Sequence, residues 1–339
     1  MLGLNRGLTR RRALAAAPLL ALPSIAKADV THLRMSHGYS TGYLPMMVMR
    51  DQHLIEKHAA KAGLGSITID WRIEDGGNII NDAMLAGVLD IAGIGVPGYL
   101  ILHDRTVGKK IEIIGISALN TGSLWLNSID PKLKTLADYG PGDRIALPGI
   151  KTSYAAVVLE MAVAKQFGME NYAKLDPLTV GMPHPESMAA LLSGKTEITS
   201  HLASSPFSYK ELKDPKVHRV ISTREVVGPM SILMAMTPRA FADANPGIIK
   251  AYLAAQEEAN AFINHDHKAA SALYIRVTNL HVSEEDLMDT LNDPENTYDP
   301  APHGSMAYAT FLSKIGTLKN TPASWQDLFL PYTKNLPGS

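Results

Sequence analysis

Apolar and polar residues alternate from Thr31 to Ser36, as along a strand with one buried face, and after a turn at Gly38 to Gly42 the apolar positions take helical spacing from Tyr43 to Ala62. The switch recurs. Ile67 to Ile73 predicts a second strand, Gly76-Gly77 a turn, Asn78 to Leu85 a helix that stops at Gly87, and Leu89 to Ile94 an apolar strand. Strand and helix in alternation are the signature of parallel βαβ units. Pro97 stands just inside the next predicted helix, where a missing N–H costs nothing. Ile111 to Ala118 predicts a long apolar strand that leads into Asn120-Thr121-Gly122.

The plan then returns. Arg144 to Leu147 predicts a strand, Pro148-Gly149 a turn, Thr152 to Phe167 a helix ending at Gly168, Leu178 to Val180 a strand, Pro185 to Leu192 a helix and Glu197 to His201 a strand. Val220 to Ser222 and Met230 to Met236 are the last predicted strands, and from Pro238 onward the chain reads as helix and loop. Within this order, Ala83-Met84-Leu85-Ala86-Gly87-Val88-Leu89-Asp90-Ile91-Ala92 is echoed by Ala190-Leu191-Leu192-Ser193-Gly194-Lys195-Thr196-Glu197-Ile198-Thr199. Gly87 and Gly194 lie 107 positions apart, longer than the roughly 20 to 50 residues of solenoids and propellers. Each copy predicts a helix end, a glycine stop and a strand, so two similar α/β lobes with a cleft between them are expected. The helices after Met236 have no sheet of their own and must pack on the first lobe. The chain therefore crosses between lobes twice, near residues 118–124 and 227–232, which makes a hinge. The loops after the two copies, Gly95 to Pro97 and His201 to Ser205, should face each other across the cleft.

The candidate chemistry is sparse. Gly38-Tyr39-Ser40-Thr41-Gly42 matches the nucleophile-elbow pattern of serine hydrolases between a strand and a helix. In that fold, however, several strands precede the elbow and one supplies the oxyanion loop, whereas only a short segment precedes Ser40 here. The alternative is a tight turn that leaves Ser40, Thr41 and nearby N–H groups to a ligand. Pro148-Gly149-Ile150-Lys151-Thr152-Ser153 opens the longest helix of the second lobe, and a helix N-terminus offers unpaired N–H donors and a positive dipole end. Thr152 or Ser153 capping that helix for structural reasons alone is the competing reading. His201 to Phe207 follows the second copy of the repeat, at the carboxyl end of a parallel strand, where ligands of such sheets sit. His265-Asp266-His267 has no third metal partner and reads as a solvated helix face. Carboxylate pairs, a phosphate loop and a dinucleotide fingerprint are not found.

Charge and export bound the function further. Arg6, Arg10, Arg11 and Arg12 precede a short apolar run from Ala13 to Leu22, and Ala26-Lys27-Ala28 offers a small-x-small cleavage site, so residues 1–28 read as a signal peptide cleaved after Ala28. Thr9-Arg10-Arg11-Arg12-Ala13-Leu14 resembles a twin-arginine motif without its aromatic residue; that route and the general secretory route both stay open. Without this segment acidic residues outnumber basic ones, which argues against nucleic acid or an anionic membrane as partner. With no cysteine in the chain there is no disulfide, thiolate metal site or lipidated cysteine. A free soluble protein in the periplasm is the expectation.

Several segments together are similar to one family. Gly42-Tyr43-Leu44-Pro45 leading to Gln52-His53-Leu54-Ile55-Glu56-Lys57-His58, the two repeat copies, Phe241 through Asn245-Pro246-Gly247-Ile248-Ile249-Lys250-Ala251, and Ser324-Trp325-Gln326-Asp327-Leu328-Phe329 resemble the solute-binding proteins of the nitrate, sulfonate and taurine uptake group, which also includes thiamine-precursor binders. The resemblance spans nearly all of the chain after residue 28. It implies an α/β type II periplasmic-binding-protein fold, two α/β lobes joined by two crossing segments with a ligand cleft between them. The division is 29–120 and 230–339 for lobe 1, the second part mainly helical, and 121–229 for lobe 2.

The resemblance also implies a function. It is the substrate-binding component of an ABC importer that closes like a Venus flytrap on a sulfonate-like, carboxylate or pyrimidine-like solute, with no catalytic residue, metal or cofactor. Its partners would be the small ligand and a membrane permease with its ATPase, and a monomer is expected. The family's cleft positions correspond to Ser40, Thr41, Tyr43, Val96, Asn120, Thr152, Ser153, His201 and Ser204. Many members carry an acid or aromatic residue before the proline of Ser204-Ser205-Pro206-Phe207, and an arginine clamp is not evident, so a less charged organic ligand stays open. The rivals are an enzyme, as a hydrolase at Ser40 or a thiamine-pyrimidine synthase whose Cys-rich iron site this chain lacks, and a ligand sensor on a membrane receptor.

Overall fold

The structure is a computed structural model that describes Gly3 and residues 30–339; the signal segment expected over residues 1–28 lies outside the described residues. The first lobe begins with β1 (His32–His37), α1 (Leu44–Asp51), α2 (Leu54–Lys61), β2 (Thr68–Ile73), α3 (Gly77–Leu85), β3 (Ile91–Gly95), α4 (Val96–Thr106) and β4 (Ile113–Gly122). The second comprises β5 (Trp125–Ser128), β6 (Ile145–Leu147), α5 (Tyr154–Phe167), β7 (Thr179–Gly181), α6 (His184–Ser193), β8 (Ser200–Ala203), α7 (Phe207–Leu212), β9 (His218–Ser222) and α8 (Thr223–Val227). The chain returns through β10 (Met230–Pro238) and ends in α9 (Arg239–Ala244), α10 (Pro246–His265), α11 (His267–Thr278), α12 (Glu284–Asn292) and α13 (Ser305–Lys314).

Two five-stranded sheets result, ordered β2-β1-β3-β10-β4 and β7-β6-β8-β5-β9. In each, the first three strands are parallel βαβ partners, and the fourth place goes to an antiparallel strand that enters just after a crossing between sheets. The echoed segments hold equivalent places, leading into β3 and β8. Gly87 and Gly194 follow their helices with φ of 68° and 60°, the left-handed region in which a side chain clashes with the backbone carbonyl. The late helices pack on the first lobe, as their lack of a sheet requires: α10 lies against α1 and α2, and α13 against α4. No helix among the described residues is long and apolar enough to cross a membrane.

Two local expectations are corrected, and one strand had no expectation. The helix over Tyr43 to Ala62 is two helices, because His53 takes a left-handed conformation (φ 51°) that ends α1 before α2 begins. Strand β5 was not legible: its four residues are all buried, so no alternation marks it. Glu197 to His201 becomes a strand only from Ser200, since Lys195 and Ile198 donate their N–H groups to side-chain hydroxyls in the loop.

Gly194→Ala is expected to destabilise the protein by about 1 kcal/mol, and Gly194→Asn by less, because Asn tolerates the left-handed conformation. Urea unfolding midpoints of the two variants check this; equal midpoints for wild type and Ala would remove the left-handed stop.

Candidate functional site

Where the two sheets face each other, the first lobe presents glycines to the backbone of the second. A Cβ on Gly76 would lie 2.7 Å from the Pro148 carbonyl oxygen, one on Gly98 3.1 Å and one on Gly77 3.3 Å from the Thr152 carbonyl oxygen, and one on Gly95 3.0 Å from Tyr154 Cβ. The segment from Pro148 to Tyr154 thus seats directly on the first lobe. Polar pairs cross the same gap. Thr41 N–H donates to the Ser205 carbonyl (3.0 Å) and the two hydroxyls lie 2.7 Å apart; Thr152 Oγ1 donates to Asn78 Oδ1 (2.5 Å); and the His184 N–H donates to Asp75 Oδ2 (3.3 Å). On the other side of α7, Tyr209 donates to Asp293 (2.5 Å) and Lys213 pairs with Asp286 (2.8 Å) and Asp289 (3.1 Å), which ties the second lobe to the C-terminal helical segment. The lobes are closed.

Enclosed between them is a cleft with about 40 Å³ of room for the centres of water-sized molecules. Small-molecule pockets usually measure about 300 to 1,000 Å³, so in this closed arrangement the cleft is smaller than such a pocket. Of the expected positions, Ser40, Tyr43, Thr152, Ser153 and Ser204 line this cleft together. Thr41 is spent on Ser205 instead, and its N–H is not available as the turn reading supposed. Val96 is buried as the first residue of α4 while its neighbour Gly95 borders the cleft, and Asn120 lies against Gly42. His201 is fully buried and reaches the cleft only through His184.

The elbow-like glycines have a packing role. A Cβ at Gly38 would meet the Tyr43 ring at 2.6 Å, and one at Gly42 would meet Leu233 at 2.6 Å and the Asn120 carboxamide at 3.0 Å. Ser40 precedes the short 3₁₀ turn Thr41–Tyr43, and no histidine among the described residues hydrogen-bonds its hydroxyl. Ser153 caps α5 through Ala156 N–H (3.1 Å), so of the two capping readings Ser153 satisfies the helix and Thr152 bridges the lobes. In the His265-Asp266-His267 run, Asp266 caps α11 through the Ala269 N–H and His267 pairs with Asn292. The Ser204 hydroxyl is buried at the cleft without a hydrogen-bond partner.

Asp75 and His184 are cleft residues that the sequence reading passed over. Both follow second strands, Asp75 after β2 and His184 after β7, at the carboxyl ends where ligand residues of parallel sheets gather. The repeat marks only the third strands, so the second strands carry no such signal in the sequence. Asp75 keeps partial exposure as a residue, but its carboxyl is enclosed by the facing lobes. That desolvation raises it from 3.8 to about 6, against the opposing pull of the His184 N–H and the field of His201. His184 is 4% exposed, stacks on Phe207 with ring centroids 5.5 Å apart, and is held well below the usual histidine range by burial and by His201.

The model of the NMT1-like family matches residues 26–277 of this chain. Among solved structures, the alkanesulfonate-binding protein SsuA of Xanthomonas axonopodis pv. citri bound to MOPS is similar at 15% identity and a TM-score of 0.66, covering 86% of this chain and 95% of that one. The periplasmic aliphatic sulphonate-binding protein SsuA of Escherichia coli aligns at 17% identity and 0.64, covering 89% and 92%. The periplasmic nitrate-binding protein NrtA of Synechocystis PCC 6803 aligns at 15% and 0.62, covering 88% and 84%. At these identities the likeness is one of fold: two α/β lobes of the periplasmic-binding-protein kind, as the resemblance implied. No curated protein sequence matches the chain.

Between its ordinary value of 3.8 and about 6, Asp75 in the folded protein holds a proton that the unfolded chain has released. The stability this lends is complete below about pH 4 and lost as pH rises through about 6. Asp75→Asn, which keeps an acceptor for the His184 N–H and never ionises, is expected to melt higher than wild type above about pH 7 and to lose that advantage below about pH 4. Thermal melts across this range check it, and a gap that does not change with pH would show that Asp75 is not desolvated.

Proposed function

The chain belongs to the NMT1-like family, and on that premise we propose that it is the solute-binding component of an ATP-driven importer, capturing a small organic or anionic solute by closing two lobes. The observation that carries this reading is the seating of the second lobe's Pro148–Tyr154 segment on Gly76, Gly77, Gly95 and Gly98 of the first. These contacts, with the Thr41–Ser205, Asn78–Thr152 and Asp75–His184 pairs, exist only when the cleft is shut. A solute that touches both walls at once binds the closed form more tightly than the open one and so shifts the population toward closure. A membrane permease then has a closed shape to read.

In this reading the protein works in the periplasm after export, and lobe 1 comprises residues 29–120 and 230–339 around lobe 2 at 121–229. Ser40, Tyr43, Thr152, Ser153 and Ser204 touch the ligand, joined by Asp75 and His184. The sulfonate- and nitrate-binding proteins among the structural neighbours make oxyanions the first solutes to test, beside carboxylates and pyrimidines.

Gly95 provides a clean test of closure. Its φ of −63° and ψ of 137° suit any residue, and the closest contact a Cβ would meet belongs to Tyr154 of the other lobe. Gly95→Ala should therefore fold as wild type does but resist closing. Its radius of gyration by small-angle X-ray scattering should be larger. A solute found by thermal-shift screening, which at 100 times its Kd adds about 2.7 kcal/mol to wild type, should stabilise the variant less. Unchanged scattering together with unchanged affinity would contradict capture by closure.

A further inference from the structure

Behind the cleft wall runs a buried line of ionisable side chains that lobe closure does not require. Glu211 Oε1 lies 2.5 Å from His201 Nδ1, and His201 Nε2 lies 2.8 Å from His184 Nδ1. The other Glu211 oxygen accepts from Asn127 Nδ2 at 2.9 Å. Glu211, His201 and Asn127 have no exposure, and of the four only His184 borders the cleft.

The protons in this line are constrained by charge. A fully buried carboxylate is stable only beside a compensating cation. Among the described residues Glu211 is hydrogen-bonded by His201 and Asn127, and Asn127 carries no charge. With the Glu211–His201 pair neutral overall, one proton lies between Glu211 Oε1 and His201 Nδ1 and the other stands on His201 Nε2, whose N–H donates to His184 Nδ1. His184 then stays neutral, as its burial and the neighbouring His201 also require, and its own proton resides on Nε2, the nitrogen left to the cleft.

The remaining groups facing His184 set what it meets. From the loop after β2 comes Asp75, whose Oδ2 accepts the His184 backbone N–H, from β8 the His201 ring and from α7 the Phe207 ring; Tyr43 and Tyr154 share the cleft lining, and the Tyr154 hydroxyl is paired with Tyr308 and Thr223. No Lys or Arg among the described residues lines the cleft.

We propose that His184, fixed as an Nε2–H donor by the Glu211–His201 pair, and Asp75, its neighbouring acceptor, select an uncharged solute with both a carbonyl-type acceptor and an N–H donor, of the carboxamide, urea or lactam class, over an oxyanion. The proposal rests on the cleft being the binding site and narrows its solute. An oxyanion would meet the Asp75 carboxylate with no Lys or Arg in the cleft lining to offset the repulsion, whereas an amide edge satisfies both groups at once.

The test has one arm without ligand and one with it. In 15N-histidine NMR of the mature protein at about pH 7.5, the proton between the two rings should be bonded to His201 Nε2, and His184 should carry its own only on Nε2. Glu211→Leu removes the hydrogen-bonding partner of His201 Nδ1, so His184 should no longer be held in a single tautomer and should populate its Nδ1–H form as well; if that variant does not fold, the wild-type spectrum decides. By calorimetry at the same pH, propionamide, N-methylurea and 2-pyrrolidinone should bind at least about 10-fold tighter than methanesulfonate and nitrate, and Asp75→Asn should narrow that gap. Wild-type His184 protonated on Nδ1 overturns the relay. Anions outbinding the amides overturn the selectivity and leave the binding-site reading standing. The expected histidine signature with neither class bound overturns the binding-site reading and the selectivity with it.

Discussion

The antiparallel seam between β4 and β10 is the constraint on which the rest of the molecule depends. β10 is inserted between β3 and β4, bonded to both, although most of the second lobe separates it from them in sequence. Gly122, where β4 ends, and Met230, where β10 begins, are register partners. The chain therefore leaves the first lobe and re-enters it at one place, through two strands already hydrogen-bonded side by side. Rotation just beyond that pair changes the cleft without breaking a ladder in either sheet, and this is the mechanical condition for a hinge. Strand β5, filling the matching place in the second sheet, makes the arrangement reciprocal.

In the closed arrangement, the contact between the lobes is set by size and then by charge. Glycines on the first lobe let two backbones approach to distances that a Cβ would forbid, so the walls meet over little side-chain surface and small differences in contact shift the balance. The polar groups trapped inside are few, and each burial has an electrostatic consequence. Asp75 is raised toward neutrality by desolvation, while Glu211 is kept buried by His201 and Asn127. The same low-dielectric surroundings that make an unpaired carboxylate unfavourable fix the proton positions along the histidine line.

Some of the expected positions border the cleft and some do not, for identifiable reasons. Ser40, Tyr43, Thr152, Ser153 and Ser204 follow first or third strands, whose ends were marked by glycine turns, a helix start or the repeat, and all five border the cleft. Asp75 adjoins the Gly76-Gly77 turn and His184 the predicted helix start at Pro185, and nothing in their local spacing shows that the two meet across 109 positions. Thr41 and His201 have the chemistry of ligand contacts but are turned to other partners, Ser205 in one case and Glu211 in the other. Local sequence carries residue type; it does not carry which way a side chain faces.

By itself, then, the sequence determined the alternation of strand and helix, the two echoed glycine stops, the double crossing and the absence of cysteine. All of these depend on periodicity, backbone freedom or composition within a short window. Tertiary structure alone decided that β10 sits between β3 and β4, that the first lobe's glycines meet Pro148 to Tyr154, and that Asp75, His184, His201 and Glu211 share one desolvated cluster. These are contacts between distant segments, and both the distances and the loss of water that set their chemistry come into being only when the two sheets pack against each other.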